Sequence, residues 1–261
     1  MRQKIVYYRD ALKDDFGGKH GTGAPVDASF PYLRTSPAWR AGAFLLYYGV
    51  ALPLVWLINR LWFGLRVKNR RALRSLRKRR TGWFFYGNHT RAFPDATAAT
   101  LLAFPRRGYV VANPDAVSIR GLSHVVQLLG AIPLPTALGG MRPFCGALER
   151  RVREGGAVMI YPEAHTWPFY TGVRPFTAAS FAYPARLGAP VVAVASVYRK
   201  RLLPFLPPAM TLYLSDPILP DPALSPAAQR DVFRDRVYAF LTEKAALNEV
   251  EYIRYEKAPG A

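Results

Sequence analysis

The chain has 261 residues, 51% of them hydrophobic and 20% charged, a composition that supplies a full core and excludes a largely disordered protein. Lys and Arg number 36 against 17 Asp and Glu, and the resulting net charge of +19 favours an anionic partner: a phospholipid surface, nucleic acid or a phosphorylated substrate. The single cysteine, Cys145, excludes an intramolecular disulfide, and we interpret it as a packing residue.

Residues 1–40 are polar and mixed in charge, with Gly and Pro interspersed. This composition predicts a polar N-terminal lead-in without a long regular element. We interpret His20 as an exposed loop residue. No apolar core of a secretory signal is recognisable here, so we expect no cleaved leader.

Residues 41–58 form an uncharged apolar run that Pro53 is expected to interrupt. Residues 60–80 then carry ten Lys or Arg and no acid. Such a block beside an apolar helix is typical of the cytoplasmic side of a membrane, where it meets anionic lipid. We therefore predict a membrane-associated helical segment with a basic connector over 41–80. The alternative is a buried core helix followed by a solvated basic loop.

From Thr81 onward, short apolar runs alternate with helix-like segments. Strands are predicted at 83–86, 108–112, 131–134, 157–161, 190–197 and 210–214. Helices are predicted at 95–104, 116–129, 141–153, 176–187 and 225–247, with His124 as a packed helix residue and Ser225 as a helix cap. The alternation predicts an α/β domain over 81–261, with a mostly parallel central sheet flanked by helices.

Two predicted strands end in polar side chains. Asn88 and His89 follow the first strand, with Asp95 six positions after the histidine, and Glu163 and His165 follow the strand at 157–161. Because parallel strands place ligands at their carboxyl ends, we expect these side chains to share one site. A histidine on a strand-to-helix loop, with a carboxylate at the helix start, is typical of a general base and the group that orients it.

These two segments resemble motifs of the glycerol-phosphate acyltransferase superfamily, close to the 1-acylglycerol-3-phosphate (lysophosphatidic acid) acyltransferases, over roughly residues 67–214. The family's first block is Asn-His, four residues and Asp, whereas here five residues separate His89 from Asp95. Its third block, Pro-Glu-Gly-Thr-Arg, resembles Pro-Glu-Ala-His-Thr at 162–166. The second block, Gly-x-x-Phe-x-x-Arg, matches poorly at 130–136. These departures identify a divergent subfamily.

The resemblance implies an O-acyltransferase that moves a fatty acyl group from acyl-CoA or acyl-acyl carrier protein to a lysophosphatidate-like or other lysophospholipid hydroxyl. His89 would be the general base, and Asp95 would hold its tautomer and stabilise the imidazolium. No cofactor and no metal are implied. The expected location is the cell membrane, with the catalytic domain on the cytoplasmic side.

The resemblance also suggests substrate-binding residues. Because the third-block Arg is missing, a phosphate contact must come from another arginine. The candidates for contacts with phosphate or with other acceptor groups are Asn88, Arg91, Arg142, Glu163, His165 and Arg174.

Two other functions compete with this interpretation. His89, Asp95, Glu163 and His165 are sensible ligand types for the divalent ion of a metal-dependent hydrolase, although their spacing matches no metal motif. The basic block at 60–80 would suit a non-catalytic protein that binds anionic lipid or nucleic acid. No nucleic-acid-binding signature accompanies that block, so we predict no nucleic-acid partner.

Overall fold

The computed structural model describes residues 4–18, 25–118, 123–201 and 205–260. The predicted loop residue His20 lies outside the described residues, as do positions 119–122 of the predicted helix 116–129. The strands are β1 (Lys4–Tyr8), β2 (Arg66–Lys68), β3 (Trp83–Gly87), β4 (Gly108–Ala112), β5 (Ala131–Pro133), β6 (Ala157–Ile160), β7 (Val191–Arg199), β8 (Ala209–Leu214) and β9 (Ile253–Lys257).

Seven of these strands form the central sheet, in the order β2-β8-β7-β3-β6-β4-β5. The five strands from β7 to β5 are mutually parallel, while β8 runs antiparallel to β7 and β2 runs parallel to β8. The prediction of a mostly parallel sheet flanked by helices is therefore confirmed. Sequence analysis missed β1, β2 and β9, which are short and, apart from the buried Ile253, contain only exposed or half-buried residues.

Side chains of β3 cover both faces of the sheet. Phe84 and Tyr86 belong to one hydrophobic cluster, and Trp83 and Phe85 belong to the other, because successive residues of a strand point to opposite faces. All four side chains are fully buried. This explains why the strand is a continuous apolar run, as expected for a parallel strand covered by helices on both sides.

The helices are α1 (Pro37–Phe44), α2 (Leu52–Leu61), α3 (Leu73–Lys78), α4 (Ala92–Ala103), α5 (Asp115–Ser118), α6 (Ser123–Leu128), α7 (Met141–Arg153), α8 (Ala182–Leu187) and α9 (Pro226–Ala245). The helix predicted from Asp95 begins earlier, at Ala92. The helix predicted over 176–187 is wrong in its first half. Pro184 has no backbone N–H to bond the carbonyl four residues before it, so only a short α8 follows a single 3-10 turn.

The apolar N-terminal segment is one continuous helix, Pro37–Leu61, of 25 residues. A π-helical stretch, Leu45–Ala51, lies just before Pro53 and accommodates its missing N–H, so the predicted interruption does not occur. By length and composition this helix could cross a membrane, and only 11% of its most apolar window is buried.

One side of this helix packs on the α/β domain. The Tyr47 hydroxyl accepts a hydrogen bond from the Gly108 N–H at 2.8 Å, and Asn59 Nδ2 donates to Thr97 Oγ1 at 3.1 Å. The opposite side exposes a row of large apolar residues: Phe44, Leu45, Val50, Leu54, Trp56, Leu57 and Leu61. The helix therefore lies along the domain and presents an apolar surface outward.

The first strand joins the two ends of the chain, since β1 pairs in parallel with β9. Phe16, a few residues later, packs against Trp167 and Tyr255 with ring centroids 5.3 and 5.5 Å apart. Residues 4–18 thus pack on the α/β domain, beside the loop that carries the third block at 162–166, the third-block loop. The predicted division into segments 1–40, 41–80 and 81–261 stays a prediction.

Candidate active site

The loop after β3 is anchored by Asn88. Its Oδ1 accepts a hydrogen bond from the Ser196 N–H at 2.8 Å, and its Nδ2 donates to the Ser196 carbonyl at 3.3 Å. Both side-chain groups of the buried Asn88 are thus used to fix the loop to β7. These contacts indicate a positioning role rather than the substrate contact predicted for Asn88.

His89 and Asp95 form a hydrogen-bonded pair, with 2.8 Å between His89 Nδ1 and Asp95 Oδ2. The same carboxylate oxygen accepts the backbone N–H groups of Thr90 and Arg91, each at 2.8 Å. Because α4 begins at Ala92, Asp95 lies in its first turn, where the helix dipole favours a negative charge. The additional residue between His89 and Asp95 is therefore accommodated in the loop and the first turn.

The His89 ring also packs against an aromatic ring. Its face stacks on Tyr161, with ring centroids 4.6 Å apart, and the Tyr161 hydroxyl donates to the Asp95 carbonyl at 2.7 Å. Burial raises the pKa of Tyr161 well above its ordinary value, and the Asp95 charge adds to this, so the phenol stays a donor.

The second ring nitrogen of His89 points at a hydroxyl group. Thr166 Oγ1 lies 2.6 Å from His89 Nε2, and the His89 side chain remains 21% exposed. With its Nδ1 proton donated to Asp95, the neutral imidazole has Nε2 free to accept a proton from a hydroxyl. This tautomer follows from the hydrogen-bond network. The site can therefore deprotonate a hydroxyl placed where the Thr166 hydroxyl lies.

Glu163 connects the first-block and third-block loops. Its carboxylate accepts the His89 N–H at 3.1 Å and the Arg174 N–H at 3.0 Å. The Arg174 guanidinium completes a buried ion pair, with Nη2 3.5 Å from Oε2. Burial raises the pKa of Glu163, and the neighbouring Arg174 charge opposes that rise. Glu163 thus holds the backbone of the proposed base in place.

Arg174 is enclosed, with its side chain 1% exposed. Its guanidinium donates to the carbonyls of Ala11 and Glu163 at 3.3 and 3.1 Å and also to the carbonyl of His165, and it lies over the Trp167 ring. All these partners belong to the protein. The contacts therefore indicate that Arg174 stabilises the loop, and they do not favour the phosphate contact predicted for it.

Two other predicted residues make no contact with His89 among the described residues. The His165 imidazole lies against Asp15, with 3.7 Å between Nδ1 and Oδ2. Arg142 is exposed in the first turn of α7, which follows β5. Because β5 lies three strands from β3 in the sheet, the two strands are separated by about 14 Å. Neither residue contacts the His89 pair within the described structure.

Arg91 lies beside the base, two residues from His89. Its guanidinium is sandwiched between Phe63 and Phe169, 4.6 and 4.2 Å from the ring centroids. Burial lowers its pKa. Within the described residues its buried Nη1 has no hydrogen-bond partner. The Arg174 Nε also lacks a partner among the described residues, but that side chain is 1% exposed and paired with Glu163, whereas Arg91 lies two residues from His89 and is not ion-paired.

Sequence analysis missed the role of Thr166, although the residue ends the third-block motif. It also missed the N-terminal support of that loop: Asp15 Oδ1 accepts the Thr166 N–H at 3.2 Å, and the Phe16 N–H donates to the Thr166 carbonyl at 3.1 Å. About 150 residues separate these partners, so no local pattern could reveal the contact. The sequence did contain a signal for an unusual backbone conformation in this loop, because Ala164 stands where the family motif has glycine. In the structure Ala164 adopts φ = 65°.

The four residues considered as metal ligands do not converge. Glu163 is paired with Arg174, and His165 lies against Asp15, away from the His89–Asp95 pair. Over the described residues, no group of three or more His, Cys, Asp or Glu is arranged to hold a metal ion. The geometry around His89 is that of a hydrogen-bonded base.

Comparisons with known proteins bear on the fold and the family of the chain. The chain is similar in structure to the crystal structure of the 1-acyl-sn-glycerophosphate (LPA) acyltransferase PlsC from Thermotoga maritima, with a TM-score of 0.54, 16% identity, and coverage of 80% of this chain and 93% of that one. At this identity the likeness establishes the fold. A search of curated protein sequences finds no match. The model of a family described as Acyltransferase matches residues 65–197, just over half of the sequence. The chain belongs to this acyltransferase family.

Proposed function

We propose that this acyltransferase moves a fatty acyl group from an acyl thioester to the hydroxyl of a lysophospholipid of the lysophosphatidate type. The observation that carries the proposal is the alignment of Asp95, His89 and a hydroxyl group, with 2.8 and 2.6 Å between successive atoms. That alignment suits the deprotonation of an acceptor hydroxyl by a neutral imidazole near pH 7.

In the proposed reaction, His89 Nε2 takes the proton of the acceptor hydroxyl while that oxygen attacks the thioester carbonyl. The thiolate leaves and receives the proton from the imidazolium. Asp95 stays ionised throughout, fixes the tautomer through Nδ1 and stabilises the imidazolium. Because the attacking oxygen belongs to the acceptor, no acyl-enzyme is needed.

The position of the acceptor follows from two neighbours of His89. Its hydroxyl would displace the Thr166 hydroxyl from Nε2, since both need the same lone pair. Its phosphate would then bind Arg91, whose Nη1 lacks a partner among the described residues. A guanidinium held between two aromatic rings is pre-oriented, and charge-assisted hydrogen bonds to phosphate are strong.

The acyl donor would be acyl-CoA or acyl-acyl carrier protein. Both present phosphate groups or an acidic surface, and the net charge of +19 favours the approach of either. No feature of the described residues favours one donor over the other, so the assay includes both.

We also propose that the chain works on a membrane surface, with the domain on the cytoplasmic side. The helix Pro37–Leu61 packs lengthwise on the domain, and its opposite side is apolar. Phe63, just after this helix, stacks on Phe93 and lies under Arg91, next to the base. This arrangement supports a helix lying in the interface, which would deliver a lipid acceptor to His89.

The test is acyl transfer by the purified full chain in detergent, with acyl-CoA or acyl-acyl carrier protein and a panel of acceptors. We expect transfer to lysophosphatidate to exceed transfer to lysophosphatidylcholine, whose phosphate is capped by choline. His89→Ala should lower kcat by about 10²–10⁴-fold, the usual contribution of general base catalysis. His124 supplies the control. The sequence predicts it to be packed in a helix, but it is exposed, with its ring 6.0 Å from that of Trp39, so His124→Ala should retain activity. Full activity in His89→Ala would overturn the mechanism.

A further inference from the structure

A polar cavity lies at the opposite end of the parallel strands from His89. It has a volume of about 530 Å³ and borders the residues that precede β4 and β6, at the amino ends of these strands. His89 and Glu163 follow the carboxyl ends of β3 and β6 instead. The cavity is lined by six arginines: Arg34, Arg40, Arg106, Arg107, Arg150 and Arg151.

One of the six arginines, Arg106, stabilises the fold. Arg106 donates to the carbonyls of Arg77 and Gly155 at 3.0 and 3.1 Å and also to the carbonyl of Arg79. Its donors thus satisfy backbone groups at the ends of neighbouring elements. Arg106 forms part of the cavity wall, and we do not count it as a ligand.

Each of the other arginines keeps at least one donor for which the described residues supply no partner. Arg107 donates to the Leu128 carbonyl, but its buried Nε has no partner within the described part of the chain. Arg150 and Arg151 share one carboxylate, Glu154, at 2.9 and 3.2 Å. Arg40 is exposed at the rim.

The charges in the cavity are unbalanced. Glu154 is the single acid among its described lining residues, against six guanidinium groups. Like charges gathered in a partly enclosed space repel each other, and an anion with several oxygens would relieve this repulsion. Arginine suits phosphate in particular, because its planar group offers paired donors to phosphate oxygens.

We propose that this cavity, the arginine pocket, binds a phosphate-bearing anion. Tyr48 of the N-terminal helix lines the pocket, and its ring contacts Phe44, with centroids 4.9 Å apart. Phe44 and Leu45 are 59% and 68% exposed, so a large apolar surface adjoins the pocket. A lipid phosphate could therefore bind the arginines while its acyl chains follow this surface. A soluble phosphate compound would use the same donors without the apolar contact.

The test measures binding of the full chain to vesicles of phosphatidylcholine alone and of phosphatidylcholine with phosphatidate. The pocket variant is Arg40→Gln/Arg150→Gln, in two exposed residues whose loss should preserve the fold. The matched control, Arg236→Gln/Lys257→Gln, removes two exposed charges elsewhere. We expect the pocket variant to lose roughly fivefold in phosphatidate-vesicle affinity for each charge removed, and the control to lose clearly less.

Two further measurements keep the result interpretable. Glu154→Gln removes the acid that occupies Arg150 and Arg151, so it should strengthen binding, an outcome that misfolding cannot produce. Inorganic pyrophosphate is titrated as the soluble probe. If pyrophosphate competes with vesicles and binds more weakly to the pocket variant, the pocket accepts soluble phosphate. If pyrophosphate does not bind in this way but the pocket variant still loses vesicle affinity, the ligand is a lipid headgroup. Equal losses in the pocket and control variants, or unchanged binding in the pocket variant, would overturn the proposal.

Discussion

Two pairs of ionisable side chains follow neighbouring parallel strands of the central sheet, and they differ in whether a substrate can reach them. The His89–Asp95 pair follows β3 and has a ring nitrogen directed at a hydroxyl, with His89 21% exposed. The Glu163–Arg174 pair follows β6, and both side chains are 1% exposed. The first pair can reach a substrate, whereas the second pair is enclosed.

The difference lies in what surrounds each pair. Residues 4–18 cover the third-block loop through Asp15, Phe16 and the pairing of β1 with β9, and this cover excludes water from Glu163 and Arg174. The enclosed ion pair between the motif residue Glu163 and Arg174 orients the loop that carries Glu163. Motif position alone therefore does not distinguish a reacting group from a positioning residue.

The largest effect is expected from Asp95→Asn. The amide loses the charge that stabilises the imidazolium and can hold the wrong tautomer, so kcat should fall by about 10²–10⁴-fold. An asparagine oxygen can still accept the Thr90 and Arg91 N–H groups, so the thermal midpoint should change little. Steady-state kinetics and calorimetry measure the two quantities, with the exposed Asp235→Asn as control. An unchanged kcat would remove Asp95 from the mechanism.

Glu163→Gln should affect stability more than chemistry. It leaves the buried Arg174 without a counter-charge, which costs about 3–5 kcal/mol of the free energy of unfolding. Denaturant unfolding measures this loss, and adding Arg174→Met should restore part of it. In the exposed Arg150–Glu154 pair, Glu154→Gln should cost about 1 kcal/mol or less. A Glu163→Gln variant as stable as wild type but inactive would make Glu163 a substrate ligand.

Arg91→Gln tests which arginine binds the acceptor phosphate. Loss of one charge-assisted contact, about 1.5–3 kcal/mol, should raise the KM for lysophosphatidate about 10–150-fold with a smaller change in kcat. Arg91→Lys should recover only part, because an ammonium lacks the paired donors. Arg142→Gln is the matched comparison, since Arg142 is exposed and distant from β3. If Arg142→Gln raises KM and Arg91→Gln does not, the assignment is reversed.

Thr166→Val replaces the hydroxyl with a methyl group of similar size. Since the acceptor must displace that hydroxyl from His89, kcat should be retained, and the KM for the acceptor should fall by at most about tenfold, the worth of one hydrogen bond. The kinetic assay used for Asp95→Asn applies here. A loss of kcat as large as in His89→Ala would instead make the Thr166 oxygen a reacting group.

The smallest effect is expected from Ala164→Gly. Ala164 has φ = 65°, a left-handed conformation that costs a residue with a Cβ about 1–2 kcal/mol. Glycine removes this cost, but its greater entropy in the unfolded state cancels part of the stabilisation. Net stabilisation of about 0.5–1 kcal/mol with unchanged activity should appear in denaturant unfolding. Ala178 has an ordinary φ of −78°, so Ala178→Gly should destabilise by a similar amount. Equal effects in both variants would argue against strain at Ala164.

Local patterns predicted much of the fold. Continuous apolar runs located β3, β6 and β7, and Ser225 before Pro226 located the start of α9, where the Ser225 hydroxyl accepts the Ala228 N–H at 3.2 Å. The predictions failed where a tertiary contact or a single residue outweighed the pattern. Pro184 shortened a predicted helix, and the pairing of β1 with β9 depends on residues about 250 positions apart.

The sequence by itself determined the α/β class and the two strand ends that carry polar residues, because these follow from hydrophobic periodicity, and the residues of the two motifs carried the family resemblance. Only the tertiary structure decided which motif residue is open and which is enclosed. In that structure His89 Nε2 points at the Thr166 hydroxyl, and Glu163 and Arg174 are buried beneath the N-terminal segment. Six arginines also line one cavity. Burial and the direction of a donor depend on residues far apart in the chain, so local sequence patterns cannot specify them.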